Sequence, residues 1–94
     1  TPSVLALHSN YPNPFNPSTT INFSLPQTAP VKLVIYNIRG QKVKVLLNES
    51  LEYGNHKVVW NGRDDSNRPV ASGVYFARLE QCRVTKIGKM MLMK

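Results

Sequence analysis

The chain has 94 residues, which is enough for one domain and too few for two. Hydrophobic residues make up 41% of it and charged residues 18%, which excludes a disordered tail, and no apolar run approaches the roughly 20 residues that span a bilayer. The net charge of +7 raises nucleic acid as a partner. The basic residues are scattered singly from Lys32 to Lys94, however, so we expect no nucleic-acid binding. The start at Thr1 lacks an initiator Met and a signal-peptide pattern, so we expect a piece of a longer chain.

Alternation of apolar and polar residues with a period of two predicts short β-strands, and no stretch of helical length has a 3.6-residue period. Turn residues, chiefly Gly, Pro and Asn, separate most of these segments. The predicted strands are Val4–Leu7, Thr19–Leu25, Val31–Tyr36, Lys42–Leu47, His56–Asn61, Gly73–Glu80 and Thr85–Met93. About seven strands in a chain of this length predict an all-β fold, an immunoglobulin-like antiparallel β-sandwich, with a small barrel as the alternative.

Residue parity predicts which side chains face the core. The fourth, sixth and seventh predicted strands carry informative patterns. Val43, Val45 and Leu47 are expected to point inward, with the neighbouring lysines in solvent. Gly73–Glu80 is apolar on both faces, as a central strand would be, and so is Thr85–Met93. We expect the large core side chains to be Trp60, Phe23 and Tyr75.

No catalytic constellation emerges from the sequence. The two histidines, His8 and His56, have no nucleophile motif of the G-x-S-x-G type near them, and glycine-rich phosphate motifs and paired-cysteine zinc motifs are missing. We therefore predict no enzyme activity, no catalytic residue and no cofactor. The single cysteine, Cys82, cannot form an internal disulfide.

The polar loop from Asn61 to Asn67 has two interpretations. Its oxygen-rich side chains could hold a cation, with Asp64 and Asp65 as weak candidate ligands. Asp, Asn, Ser and Gly are also ordinary turn residues, because their side chains bond nearby backbone amides, and Arg63 interrupts a calcium-loop pattern. We therefore expect a turn without a required metal.

The segment from Tyr11 to Ser18 contains three prolines, which favour a stiff extended conformation leading into the Thr19 strand. From here the sequence resembles the C-terminal sorting domains of type IX (Por) secretion, found on exported proteins of Bacteroidetes. The resemblance extends over Tyr11–Ile21, Val34–Gly40, Trp60–Asp65, Val70–Phe76 and Lys89–Lys94. The immunoglobulin-like domain of flagellar hook-capping proteins shares part of this pattern. Cys82 departs from it, since Gly, Asn or Asp is commoner at that turn.

The resemblance implies a non-catalytic sorting domain over residues 11–94, preceded at residues 1–10 by a linker or short first strand. Such a domain directs an N-terminal cargo from the periplasm through the outer membrane to the cell surface. Its implied partners are the type IX translocon and shuttle proteins and a sortase-like surface peptidase. The implied recognition residues are Pro12, Asn13, Pro14, Gly73, Tyr75, Lys89 and Lys94.

The C-terminal segment suits such a role physically. Lys89 and Lys94 bracket an apolar strand, which a receptor can capture by adding it to a sheet edge. The simpler alternative is that these lysines only prevent self-pairing of a Met-rich edge. Two other functions stay open: a hook-capping domain, or an ancillary immunoglobulin-like or carbohydrate-binding module of a multidomain hydrolase, for which Tyr11, Tyr36 and Tyr53 would be candidate sugar platforms.

Overall fold

The computed structural model describes residues 5–8 and 18–93, and its regular structure there consists of β-strands. Turn residues divide the chain into segments that are too short and too strictly alternating for helices. The strands are β1 (Ala6–Leu7), β2 (Thr19–Leu25), β3 (Ala29–Asn37), β4 (Lys42–Leu51), β5 (Gly54–Trp60), β6 (Gly73–Gln81) and β7 (Val84–Leu92). Over these ranges the chain has no helix long and apolar enough to span a bilayer.

The strands form two antiparallel sheets, with the orders β1-β2-β5 and β4-β3-β6-β7. The predicted seven-stranded immunoglobulin-like sandwich is therefore confirmed, and the barrel alternative is not adopted. β6 lies between β3 and β7, as its apolar residues on both faces predicted. β4 and β7 are the two edges of the larger sheet.

The core lies between the inner faces of the two sheets. Trp60, Phe23 and Tyr75 are 0%, 1% and 6% exposed, which confirms them as large core side chains. Side chains of β2 and β3 fill the space around these three residues, because every second residue of each strand points inward. The inward residues of these two strands are Ile21, Phe23, Leu25, Val31, Leu33 and Ile35.

A β-bulge changes the facing of side chains in β4. Leu33 pairs with Leu47 and Val34 pairs with Val45, so Leu46 is an extra residue in the ladder. Because Val34 is the neighbour of a core residue on a strand, it faces outward, and Val45 opposite it shares that face. The prediction that Val45 points inward is wrong, since the bulge breaks the parity on which it rested; Leu46 packs against the core instead.

β7 is amphipathic, and only its second half is buried. Met90 and Leu92 are each 1% exposed and close the core, whereas Ile87 is 65% exposed on the outer face. On the inner face β1 packs against β7, where a Cβ built on Gly88 would lie 3.0 Å from Cδ2 of Leu7. The strand is thus anchored from inside, while Ile87, Lys89 and Met91 are exposed on its outer face.

Candidate functional site

The buried pair Trp60 and Tyr75 joins the two sheets at one end of the sandwich. Their rings meet edge to face with centroids 5.3 Å apart. The Tyr75 hydroxyl donates to the Ala71 carbonyl at 2.6 Å, and Trp60 Nε1 donates to the Arg63 carbonyl at 2.9 Å. Burial raises the pKa of Tyr75, so its hydroxyl stays protonated as a donor. Tyr75 therefore forms a tyrosine corner and fixes the chain before β6.

Gly73 opens β6 opposite Leu92 and has a φ of +154°. A Cβ built there would meet no atom within 4 Å, so the requirement for glycine comes from the backbone conformation and not from space. Gly73 and Tyr75, two of the residues implied in recognition, thus determine how β6 enters the sheet. Their part in recognition stays a prediction.

Asp64 organises the loop between β5 and β6. Its Oδ1 accepts hydrogen bonds from the backbone N–H groups of Arg68 and Ser66, at 3.0 and 2.9 Å. The Arg68 N–H is the main cause, with help from that of Ser66, that the pKa of Asp64 lies below its ordinary value. This is the turn-making arrangement expected from the sequence. Across the described residues no group of three or more His, Cys, Asp or Glu side chains could hold a metal ion.

Asp65 covers the free edge of β4. Its N–H donates to the Val43 carbonyl at 3.1 Å, and its Oδ1 accepts from the Val45 N–H at 3.1 Å. One residue of the loop therefore supplies β4 with both a donor and an acceptor, as a neighbouring strand would. Sequence reasoning missed this contact, because it joins a loop residue to a strand 20 residues earlier in the chain.

The two histidines serve structural hydrogen bonds. Ser24 Oγ donates to Asn55 Oδ1 at 2.6 Å and lies 2.8 Å from His8 Nε2, so His8 is the donor in that pair and does not act as a base for the hydroxyl. His56 stacks on Phe23 with ring centroids 5.6 Å apart, and its Nε2 lies 2.6 Å from the Glu52 carbonyl. Neither arrangement activates a nucleophile.

The outer face of β6 and β7 presents the candidate site. Lys89 is exposed there and lies opposite Phe76 in the ladder, while Ile87 lies opposite Arg78. The implied recognition residues Pro12, Asn13, Pro14 and Lys94 lie outside the described residues, as does the rest of the proline-rich segment.

A shallow groove of about 470 Å³ runs across this face next to Lys89. Tyr36, Phe76, Ile38 and Ile87 form its apolar lining, and Arg78 contributes a positive charge. Ile38 and Ile87 are 71% and 65% exposed, which is unusual for isoleucine. The sequence carried one signal for this groove, the apolar residues at outward positions of the last strand, but the β3–β4 turn that completes it is distant in sequence.

The β6–β7 connection is a two-residue hairpin in which Cys82 and Arg83 both have positive φ, 51° and 68°. These are the angles of a type I′ turn, which normally selects Asn or Gly because other side chains crowd the backbone there. Cys82, where Gly, Asn or Asp would be commoner, therefore occupies a strained position in a turn of regular type. Among the described residues this cysteine is free and exposed.

A family model described as the FlgD Ig-like domain matches residues 11–82. No curated protein sequence is a significant match to the chain.

Several solved structures share the fold at low sequence identity. A chain of PorZ, a surface component of the type IX secretion system of Porphyromonas gingivalis, is 22% identical with a TM-score of 0.63; the match covers 94% of this chain and 11% of PorZ. Latent dimeric PorU from the same organism is 19% identical with a TM-score of 0.72, covering 99% of this chain and 10% of PorU. FlgD from Xanthomonas campestris is 20% identical with a TM-score of 0.65, covering 94% and 64%. This chain thus corresponds to about a tenth of the length of PorZ and PorU.

Proposed function

The chain belongs to the FlgD Ig-like domain family, and from that premise we propose that it is a non-catalytic C-terminal sorting module that directs an attached cargo through the outer membrane by type IX secretion. The observation that carries the proposal is the position of β7: a nine-residue edge strand with its inner face anchored in the core and its outer face exposed. Such a strand can be read by a receptor without unfolding the sandwich.

The likeness to PorZ and PorU supports the proposal at the level of the fold. Under it, the cargo lies N-terminal to this domain, and the finished protein is secreted or attached to the cell surface. The translocon, its shuttle proteins and a sortase-like surface peptidase are the proposed partners. A module of this kind needs a stable displayed surface, and the exposed outer face of β7 above a buried inner face supports this.

Among the described residues, Lys89 is the best placed for recognition by a receptor. It is exposed, lies on the outer face of β7 and is flanked by apolar side chains, including Ile87 and Met91, which are 65% and 38% exposed. A positive charge beside apolar side chains gives a docking partner both contact area and a fixed register. Lys94 would extend the same pattern in sequence.

The experiment is an export assay in a type IX-secreting host. A periplasm-directed fluorescent reporter carries this chain at its C-terminus, either unchanged, with Lys89→Gln and Lys94→Gln, or with Lys32→Gln and Lys57→Gln as a control that removes the same charge from exposed positions outside β7. We expect the unchanged and control reporters at the surface and the Lys89/Lys94 variant in the periplasm, with all domains folded by circular dichroism. Undiminished display of the Lys89/Lys94 variant would exclude a lysine-read signal, and display of a reporter without the domain would exclude sorting.

A second candidate, a domain of a flagellar hook cap, is favoured by the family model itself and by the likeness to Xanthomonas FlgD. The discriminating experiment replaces the immunoglobulin-like domain of a FlgD protein with this chain in a flagellated host. Restored motility would favour the hook-cap function, whereas the sorting proposal expects none.

A further inference from the structure

A row of four side chains crosses the outer face of the larger sheet at the groove. Tyr36 pairs with Phe76 on β6 and with Lys42 on β4. Phe76 in turn pairs with Lys89 on β7. Because directly paired residues share one face of a sheet, two aromatic rings lie between two lysines in this row. We call these four residues the aromatic–lysine row.

The spacing of the aromatic–lysine row follows from the geometry of the sheet. Neighbouring strands lie about 4.8 Å apart, so the three steps from Lys42 to Lys89 cover about 14 Å between Cα atoms. An extended peptide rises about 3.3 Å per residue, so two carboxylates four residues apart lie about 13 Å from each other. The residue midway between them projects from the same face of the peptide, since side chains alternate. One extended segment can therefore meet both lysines and both rings at once.

The ionisable groups of this face determine the charge of its partner. Glu80 pairs with Lys32 in the ladder, and its carboxylate lies 3.5 Å from Arg78. Within the described residues, neither Lys42 nor Lys89 forms an ion pair. The negative charge on this face is therefore offset locally, whereas the two lysines of the row keep their positive charge. A second copy of the chain, with a net charge of +7, would be repelled, so charge complementarity favours an acidic partner.

The groove adds apolar contact area to the row. Tyr36 and Phe76 belong to both, and the highly exposed Ile38 and Ile87 complete the apolar lining. The groove volume of about 470 Å³ lies within the range of about 300–1,000 Å³ that is typical of ligand sites. An apolar side chain placed over the rings would remove this surface from water, which favours association. Charge alone would attract any polyanion, whereas this surface favours an acidic segment that also carries an apolar side chain.

We propose that the aromatic–lysine row and its groove bind an extended segment of a partner protein with the pattern acidic-x-apolar-x-acidic. The apolar side chain lies over Tyr36 and Phe76, and the two carboxylates meet Lys42 and Lys89. The segment crosses the strands on the face of the sheet, so it requires no change in their pairing. The inference rests on the proposed sorting function, for which it supplies the chemistry of the partner.

The test measures peptide binding by NMR, because the natural partner segment is unidentified. The probe is the N-acetylated, C-amidated peptide Ser-Glu-Thr-Phe-Thr-Glu-Ser, titrated to millimolar concentration into the isotope-labelled chain. One control peptide carries Lys in place of both Glu, and a second carries Ser in place of Phe. The probe should bind about tenfold more tightly than either control, since the first control reverses the charge and the second lacks the apolar contact.

Two pairs of matched variants separate this site from general attraction to a basic protein. Lys89→Glu should weaken binding of the probe about tenfold, whereas Lys57→Glu, on β5 of the other sheet, should leave its dissociation constant within about twofold. Ile87→Thr should weaken binding about fivefold, whereas Val59→Thr, at an exposed apolar residue of β5, should again stay within about twofold. Equal losses within either pair would overturn the proposal. All four positions are exposed, and circular dichroism checks that each variant is folded.

Chemical-shift changes locate the bound probe. They should centre on the backbone amides of Tyr36, Phe76 and Lys89; changes confined to β2 and β5 would overturn the proposal, as would no binding at millimolar peptide. Equal binding of the probe and the Ser-containing control would also overturn it, because that result needs only attraction of acids to a basic protein.

Two further measurements identify the occupant and separate this site from the export function. Sedimentation of the chain alone should give a monomer, and a dimer disrupted by Ile87→Thr would identify a second copy as the occupant instead. Probe binding with failed export of the reporter would leave this site standing and remove the sorting function. Export of the reporter without probe binding would do the reverse.

Discussion

The two edge strands of the larger sheet are protected in different ways. β4 is closed by hydrogen bonds from Asp65, which occupy backbone groups of Val43 and Val45 on its free side. β7 carries Lys86 and Lys89, and the repulsion between like charges discourages self-pairing there. Asp65 occupies two backbone groups of β4 that a further strand would need, whereas the charge on β7 opposes only like-charged strands. The comparison shows that an edge strand can resist self-pairing and still present its side chains to a receptor.

The largest expected effect comes from removing the inner anchor of β7. Leu92→Ala should lower the free energy of unfolding by about 2–5 kcal/mol, since the side chain is 1% exposed and its loss leaves a cavity. Met93→Ala, at a site 54% exposed, is the matched control and should change stability by less than about 0.5 kcal/mol. Urea denaturation measures both. Equal small effects would mean that β7 is not held from inside.

Relief of backbone strain in the hairpin that leads into β7 should raise the stability of the domain, whereas Leu92→Ala lowers it. Replacing Cys82 with Asn and Arg83 with Gly should raise the free energy of unfolding by about 1 kcal/mol, because positive φ strains both present residues. The gain is less than the full strain because glycine also loses more freedom on folding. Thermal denaturation checks it, with Cys82→Ser as a control that removes the thiol and keeps the strain. A gain from the control alone would assign the effect to the thiol.

The smallest effect concerns the loop that closes β4. The pKa of Asp64 is lowered in the folded state, so its contribution to stability is fully present above the unfolded value and is lost as pH falls through the folded one. Asp64→Asn should therefore lower the melting temperature at pH 7. The difference in melting temperature between this variant and the unchanged chain should shrink below about pH 4. Glu49→Gln, at an exposed position on β4, is the control and should show a smaller difference at pH 7. A constant difference from pH 7 to pH 3 would contradict the role of the ionised carboxylate.

The sequence predicted most of the fold because every second residue of β2 and β3 is apolar, and these inward residues are part of the core of the structure. It failed at Val45, where a bulge inserts Leu46 and reverses parity without a local sequence signal. For the site, an exposed Lys89 follows from the period of the last strand. The hydrogen bond from Tyr75 to Ala71 and the groove at Tyr36 and Phe76 do not, since they depend on how separate strands pair.

The order of strands in the larger sheet also determines how the domain folds. The β3–β4 and β6–β7 hairpins join neighbours in sequence, and such hairpins form in about 1–10 μs. Pairing of β3 with β6, and of β2 with β5, requires closure of chain segments that contain whole intervening strands. All-β domains dominated by such non-local pairings fold in milliseconds to seconds. We therefore expect the β6–β7 hairpin to form early, and the pairing of β6 with β3 to be the slow step.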